Sequence, residues 1–257
     1  MGAGVVPPDD WGTKAAQWAE HQEPSWAPIY ASLFERAGLS SGARVLDVGC
    51  GAGGALLVAR GLGAHVSGVD VAQGMIDVAS SRLPGAPIKL GDMSALPFED
   101  QSFDLVTGFN SFQFAADATA ALHEARRVCK NGGTVATLLW GPKENCDLIL
   151  ALGPIFTEFL PPPPEGPDFS APGVMKATMS AAGLTPTRSG VLEIELAYPD
   201  KAAAWRAISS SLPLVRAIRR AGEPAVHEQL DRSLERFTQP DGRVVLKNQL
   251  RWTFAER

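Results

Sequence analysis

With 257 residues, 45% of them hydrophobic and 20% charged, the chain is long enough for one large folded domain, and 26 glycines and 20 prolines without a period exclude fibrous structure. A formal net charge of −5 excludes the basic footprint of a protein that grips a polyanion, so nucleic acid is not an expected partner. Cys50, Cys129 and Cys146 form no disulfide framework and no paired metal-ligand spacing, which points to a reducing, cytoplasmic setting and no metal.

Met1–Asp10 carries no basic segment followed by an apolar core, and no run approaches the ~18 apolar residues of a spanning helix, so a membrane is not an expected partner. From Pro24 to Gly38, Ile29, Leu33, Phe34 and Ala37 recur at helical spacing, with Gly38 as the stop. With Trp11, Trp18 and Trp26 upstream, residues 1–38 read as a helical cap.

Between Arg44 and Trp140, β-branched runs alternate with amphipathic stretches, the pattern of a parallel sheet with crossover helices. Strands are expected at 44–48, 65–70, 87–90, 103–109 and 133–140, so that 39–141 forms the ligand-binding core. Past Trp140 the chain turns Pro-rich, notably at Pro161–Pro164, before a helix near 172–183 and a strand near 186–197. A final strand is expected near 243–254. The insertions 143–170 and 198–241 read as a lid, too short for cores of their own. Arg216, Arg219 and Arg220 are expected on a solvated helix face.

The segment Val45–Gly54 reads as a strand entering a glycine turn that opens a helix. Gly49 and Gly51 permit backbone angles closed to other residues and leave no side chain between backbone and ligand. The helix start adds amide donors, at the sheet edge where open α/β folds bind ligands. Gly49, Gly51 and Gly54 also satisfy the GxGxxG dinucleotide pattern, and Asp70, ending the second strand, would hold ribose hydroxyls in either case. Two features separate the readings. Asp47, inside the first strand, would repel a pyrophosphate but suits a cationic amino-acid ligand. Gly91-Asp92-Met93 after the third strand supplies a carboxylate that accepts from an adenine amino group.

The runs VLDVGCGAGG (45–54), GVD (68–70), GDMSALPFEDQSFDLV (91–106) and EARRVCKNGG (124–133) resemble the class I S-adenosylmethionine-dependent methyltransferases. The branch most resembled is the ubiquinone/menaquinone-biosynthesis type, or methyltransferase type 11. The chain departs from it at Asn131, where proline is frequent, and at Ala52, where threonine is common.

The resemblance implies a Rossmann-like α/β fold with a mainly parallel seven-stranded sheet, helices on both faces, and a lid from the N-terminus and late insertions. It implies S-adenosylmethionine as cofactor. Asp47, Gly49 and Gly51 would surround its methionine part, with Asn110 near the same end. Asp70 would bind the ribose, Val71 and Met75 would pack on the adenine, and Asp92 and Met93 would meet its edge. The acceptor is expected to be a small, partly apolar molecule methylated on oxygen, nitrogen or carbon. His21 and His227, both in lid segments, are the candidates for a general base. The competing readings are a cofactor binder without methyl transfer, whether regulatory or a cyclisation catalyst, and a nucleotide-linked oxidoreductase, which Asp47 disfavours.

Overall fold

The computed structural model describes residues 8–162 and 165–257, so the reading of Met1–Asp10 falls largely outside it, as does part of the Pro161–Pro164 run. The N-terminal segment is helical in short pieces. Helices α1 (Pro8–Gly12) and α2 (Ala15–Gln17) lead through a π turn (Trp18–Gln22) and a 3₁₀ turn (Glu23–Trp26) into α3 (Ala27–Arg36). The single helix expected at 24–38 is thus shorter, and Pro24 and Pro28 are the second residues of their elements, where a missing N–H costs nothing.

The core follows as β1 (Arg44–Val48), α4 (Gly54–Gly61), β2 (His65–Asp70), α5 (Gln73–Arg82), β3 (Ile88–Leu90), β4 (Phe103–Phe109), α6 (Ala118–Val128) and β5 (Cys129–Trp140). Strand β5 begins earlier than expected. Phe103 pairs with Cys129 and Leu105 with Thr134, so Gly132 and Gly133 form an irregularity inside the strand instead of a turn before it.

Beyond β5 lie α7 (Asp147–Phe159), α8 (Val174–Ala181), β6 (Thr185–Tyr198), α9 (Lys201–Ile208), α10 (Leu212–Ala221), α11 (Glu223–Leu234) and β7 (Val244–Glu256). The seven strands run in the order β3-β2-β1-β4-β5-β7-β6. The first five pair in parallel, and β7 is antiparallel to both neighbours. The expected α/β class and mainly parallel sheet are therefore what the chain forms.

Both faces of the sheet are covered. Leu122, Val128, Met175 and Met179 bury one side, and Leu33, Phe34, Leu56 and Leu83 bury the other. Strand β7 pairs with β5 only from Leu250 onward, so Val244–Gln249 and the end of β6 extend past the parallel strands. That extension carries a third cluster in which Leu152, Ile155, Ala207, Leu214, Leu230 and Leu246 bury against one another. The two late insertions thus pool their apolar side chains into one cluster on a shared strand pair.

Candidate active site

The turn after β1 is built by backbone conformation. Gly49 and Gly51 take φ of 71° and 54°, and a Cβ placed on Gly49 would stand 2.5 Å from the Ser111 Cβ. A Cβ on Gly51 would meet nothing within 4 Å, so this glycine faces open space above the strand edge. The turn is held by Asp70, whose two carboxylate oxygens accept from the amides of Gly51 and Ala72, each at 2.9 Å.

Asp47 is buried at 3% exposure and accepts a hydrogen bond from the Thr107 hydroxyl at 2.6 Å. Burial pushes its pKa up to about 8, with Asp70 and Glu23 adding to the rise and Thr107 opposing it. Asp70 is also raised, chiefly by desolvation.

The sequence reading left the start of α4 with free amides. One of them is taken: Gly54 donates to Glu23 Oε1 at 3.3 Å, and Glu23 is itself ion-paired with Arg82 of α5. Arg82 also donates to the Ala52 carbonyl at 2.7 Å. A helix N-terminus attracts anions, and here a carboxylate of the chain takes its first amide. That arrangement opposes a pyrophosphate, because the Gly54 amide is taken and a carboxylate stands beside it.

Asn110 follows β4 in a left-handed conformation, φ 54°, with its amide bonded to the Leu138 carbonyl at 2.7 Å. Its Oδ1 is buried without a partner, as is the neighbouring Ser111 Oγ. An unpaired buried carbonyl oxygen of this kind is costly, and a bound ammonium group would satisfy it. The residues present therefore fit the methionine end of the expected cofactor.

Toward the expected adenine side, Val71 is exposed and Met75 is buried. Met75 clusters with Ala15, Ala52 and Ala72, with Trp11 and Trp18 packed against them, so it joins α5 to the N-terminal segment. Asp92 is exposed and its Oδ1 accepts from the amide and hydroxyl of Ser94, at 2.7 and 2.6 Å. Met93 packs partly buried against the core.

Aromatic rings crowd the ends of β4 and β5. Tyr30 stacks on Phe109 at 5.2 Å, and Trp26 meets Tyr30 at 6.2 Å and Trp140 edge-on at 5.4 Å. The expected base candidates stand apart in character. His227 lies 4.3 Å from the Trp205 ring and 3.8 Å from Asp231 on its own helix, while His21 lies half-buried in the π turn. Among the described residues no group of three or more His, Cys, Asp or Glu side chains could hold a metal ion, and no helix is long and apolar enough to cross a membrane.

Of the arginines expected on a solvated face, Arg219 and Arg220 are exposed and Arg216 is half-buried. Arg216 and Arg219 both reach Asp10, which is 5% exposed, and so fasten α1 to α10. Sequence reasoning also missed Glu23, Arg82 and Thr107, whose partners lie 31, 59 and 60 positions away and leave no local pattern. A cleft of about 410 Å³ among Asp147, Glu195, Arg236, Arg243 and Lys247 includes none of the residues of the glycine turn.

A family model described as a methyltransferase domain matches residues 46–137. An uncharacterized protein of Mycobacterium tuberculosis is 34% identical over 130 residues, which are 49% of this chain and 47% of that protein. The chain thus spans about half the length of such relatives. The malonyl-acyl-carrier-protein O-methyltransferase of Pseudescherichia vulneris is 28% identical over 239 residues, 93% of this chain and 90% of that one. Among solved structures, the (4+2)-cyclase SpnF shares the fold with a TM-score of 0.61 at 19% identity, over 100% of this chain and 98% of that one. Residues 46–137 thus match the methyltransferase-domain family, and the rest of the chain shares the fold of the solved structures.

Proposed function

We propose that the protein transfers the methyl group of S-adenosylmethionine to a small, partly apolar metabolite. The observation that carries this reading is the glycine turn with Asp47 and Asp70 beneath it and Glu23 on the first amide of α4. Asp47 and the Asn110 carboxamide would hold the methionine part of the cofactor, and Asp70 its ribose, with Val71, Asp92 and Met93 at the adenine. When bound, the cofactor supplies a methyl group already activated on a positively charged sulfur. The chain's own task is then to orient the acceptor and exclude water, a contribution of ~7–11 kcal/mol where alignment is good.

Trp26, Tyr30, Phe109 and Trp140 support an apolar acceptor, because they wall the ends of β4 and β5 with rings. The buried thiols of Cys50, Cys129 and Cys146 suit a cytoplasmic protein. Incubation with S-adenosylmethionine and a panel of phenols, amines and carbon acids, with S-adenosylhomocysteine as the readout, tests the reading. Tight binding with no demethylated product from any acceptor would favour a second reading, a binder or cyclisation catalyst, which the whole-chain likeness to SpnF supports.

A further inference from the structure

Glu23 comes from outside the matched domain yet touches its ligand-binding turn. It is 5% exposed, and a Cβ added to Gly54 would stand 2.8 Å from its carboxylate carbon. One carboxylate oxygen takes the Gly54 amide, and the other takes Arg82, which in turn holds the Ala52 carbonyl. A single side chain of the N-terminal segment therefore grips the exit of the glycine turn at two points. Its charge also reaches the site: burial is the main cause of the raised pKa values of Asp47, Cys50 and Tyr30, and Glu23 adds to each, alongside the Asp70 and Asp47 carboxylates.

We propose that Glu23 is a positioning residue of the cofactor site, whose reach sets the glycine turn and whose charge favours the sulfonium donor over its neutral thioether product. The proposal rests on the methyltransferase reading above. S-adenosylmethionine carries one more positive charge than S-adenosylhomocysteine, and a carboxylate beside the turn stabilises the first and is indifferent to the second. Product release is eased by the same difference. The groups that face this region are Asp47 and Thr107 from the sheet, Asp70 and Cys50 from the strand ends, Tyr30 from α3 and Arg82 from α5.

The test is calorimetric titration of the full chain with each ligand at pH 8. Glu23→Gln keeps an oxygen for Gly54 and drops the charge, so the donor is expected to weaken about threefold to tenfold more than the product, the size of one partly screened charge. Glu23→Asp keeps the charge and shortens the reach, and both ligands are expected to weaken alike. Arg82→Gln removes the countercharge, and the ratio is expected to move toward the donor. Equal losses for both ligands in Glu23→Gln, with no shift in Arg82→Gln, would overturn the charge role. If Glu23→Gln does not fold, the Arg82→Gln ratio decides alone, and an unchanged ratio overturns the proposal. Wild type that binds neither ligand overturns the methyltransferase reading itself, and this inference with it.

Discussion

Thr107 of β4 donates its hydroxyl to the Asp47 carboxylate of β1 at 2.6 Å, and the two residues are in register across a parallel strand pair. The contact is buried on both sides, and it is the one hydrogen bond that eases the cost of holding Asp47 beneath the glycine turn.

That cost gives a pH dependence with a definite sign. Burial raises the Asp47 pKa from 3.8 in the open chain to about 8, so between those values the folded protein binds the extra proton. The stability tied to Asp47 is complete below the lower value and is lost as pH rises through the upper one. Thermal unfolding of the ligand-free protein is expected at a lower temperature at pH 8.5 than at pH 5, by the linkage argument. Asp47→Asn should remove much of the slope, with Asp70, also raised, leaving the remainder. A wild-type melting temperature independent of pH over this range would contradict the argument.

Asp70→Ala removes the acceptor for the Gly51 and Ala72 amides along with the expected ribose contact. Cofactor affinity should fall by ~10- to 150-fold, taking ~1.5–3 kcal/mol for hydrogen bonds to a charged group. Calorimetry on a mutant shown to be folded by circular dichroism checks this, and an unchanged affinity would remove Asp70 from the site.

Asn110 separates strain from function. Its φ of 54° is one that glycine adopts freely, so Asn110→Gly should leave stability equal or higher by up to ~1 kcal/mol, while losing the unpaired carboxamide. The expected pattern is a preserved melting temperature with weaker cofactor binding. Full binding in the glycine variant would show that the carboxamide is not used.

The Asp10 pair with Arg219 links residues 209 positions apart, and the Arg219 side chain is 55% exposed. Asp10→Asn should therefore cost about 1 kcal/mol, less than the ~3–5 of a fully buried pair. Limited proteolysis should cut the N-terminal segment faster in the variant, and cofactor should slow the cut in wild type. Equal rates with and without cofactor would refute closure of this segment over the site.

For the chemical step, His21→Ala and His227→Ala are each expected to retain turnover within ~10²-fold, since a general base contributes ~10²- to 10⁴-fold and His227 is engaged with Trp205 and Asp231. Turnover is expected to survive a chelator. A loss beyond ~10⁴-fold in either mutant would establish an essential base.

Local chemistry made the glycine turn and the carboxylates around it legible. The positive-φ turn at Gly49 and Gly51 needs residues without a side chain, so the conformation is written into the residue types themselves. Asp47 and Asp70 stand out because a carboxylate at the inner end of an apolar strand has no packing reason to be there. The β-branched runs marked β1, β2 and β4 for the same reason of locality.

What only the tertiary structure decided depends on pairings between distant segments. Nothing near Glu23 in the chain distinguishes it from a surface acid, and its role exists because the N-terminal segment lies across α4 and α5. Arg216 and Arg219 lie on an exposed helix face as their spacing suggests, but their partner, Asp10, lies at the other end of the chain and leaves no local pattern. Met75 carries the periodicity of an ordinary helix face, and whether such a face meets a ligand or another helix is set by which element covers it. Residue spacing records the period of an element and the conformation of a turn, whereas the partner of a buried charge is chosen by the packing of the whole chain.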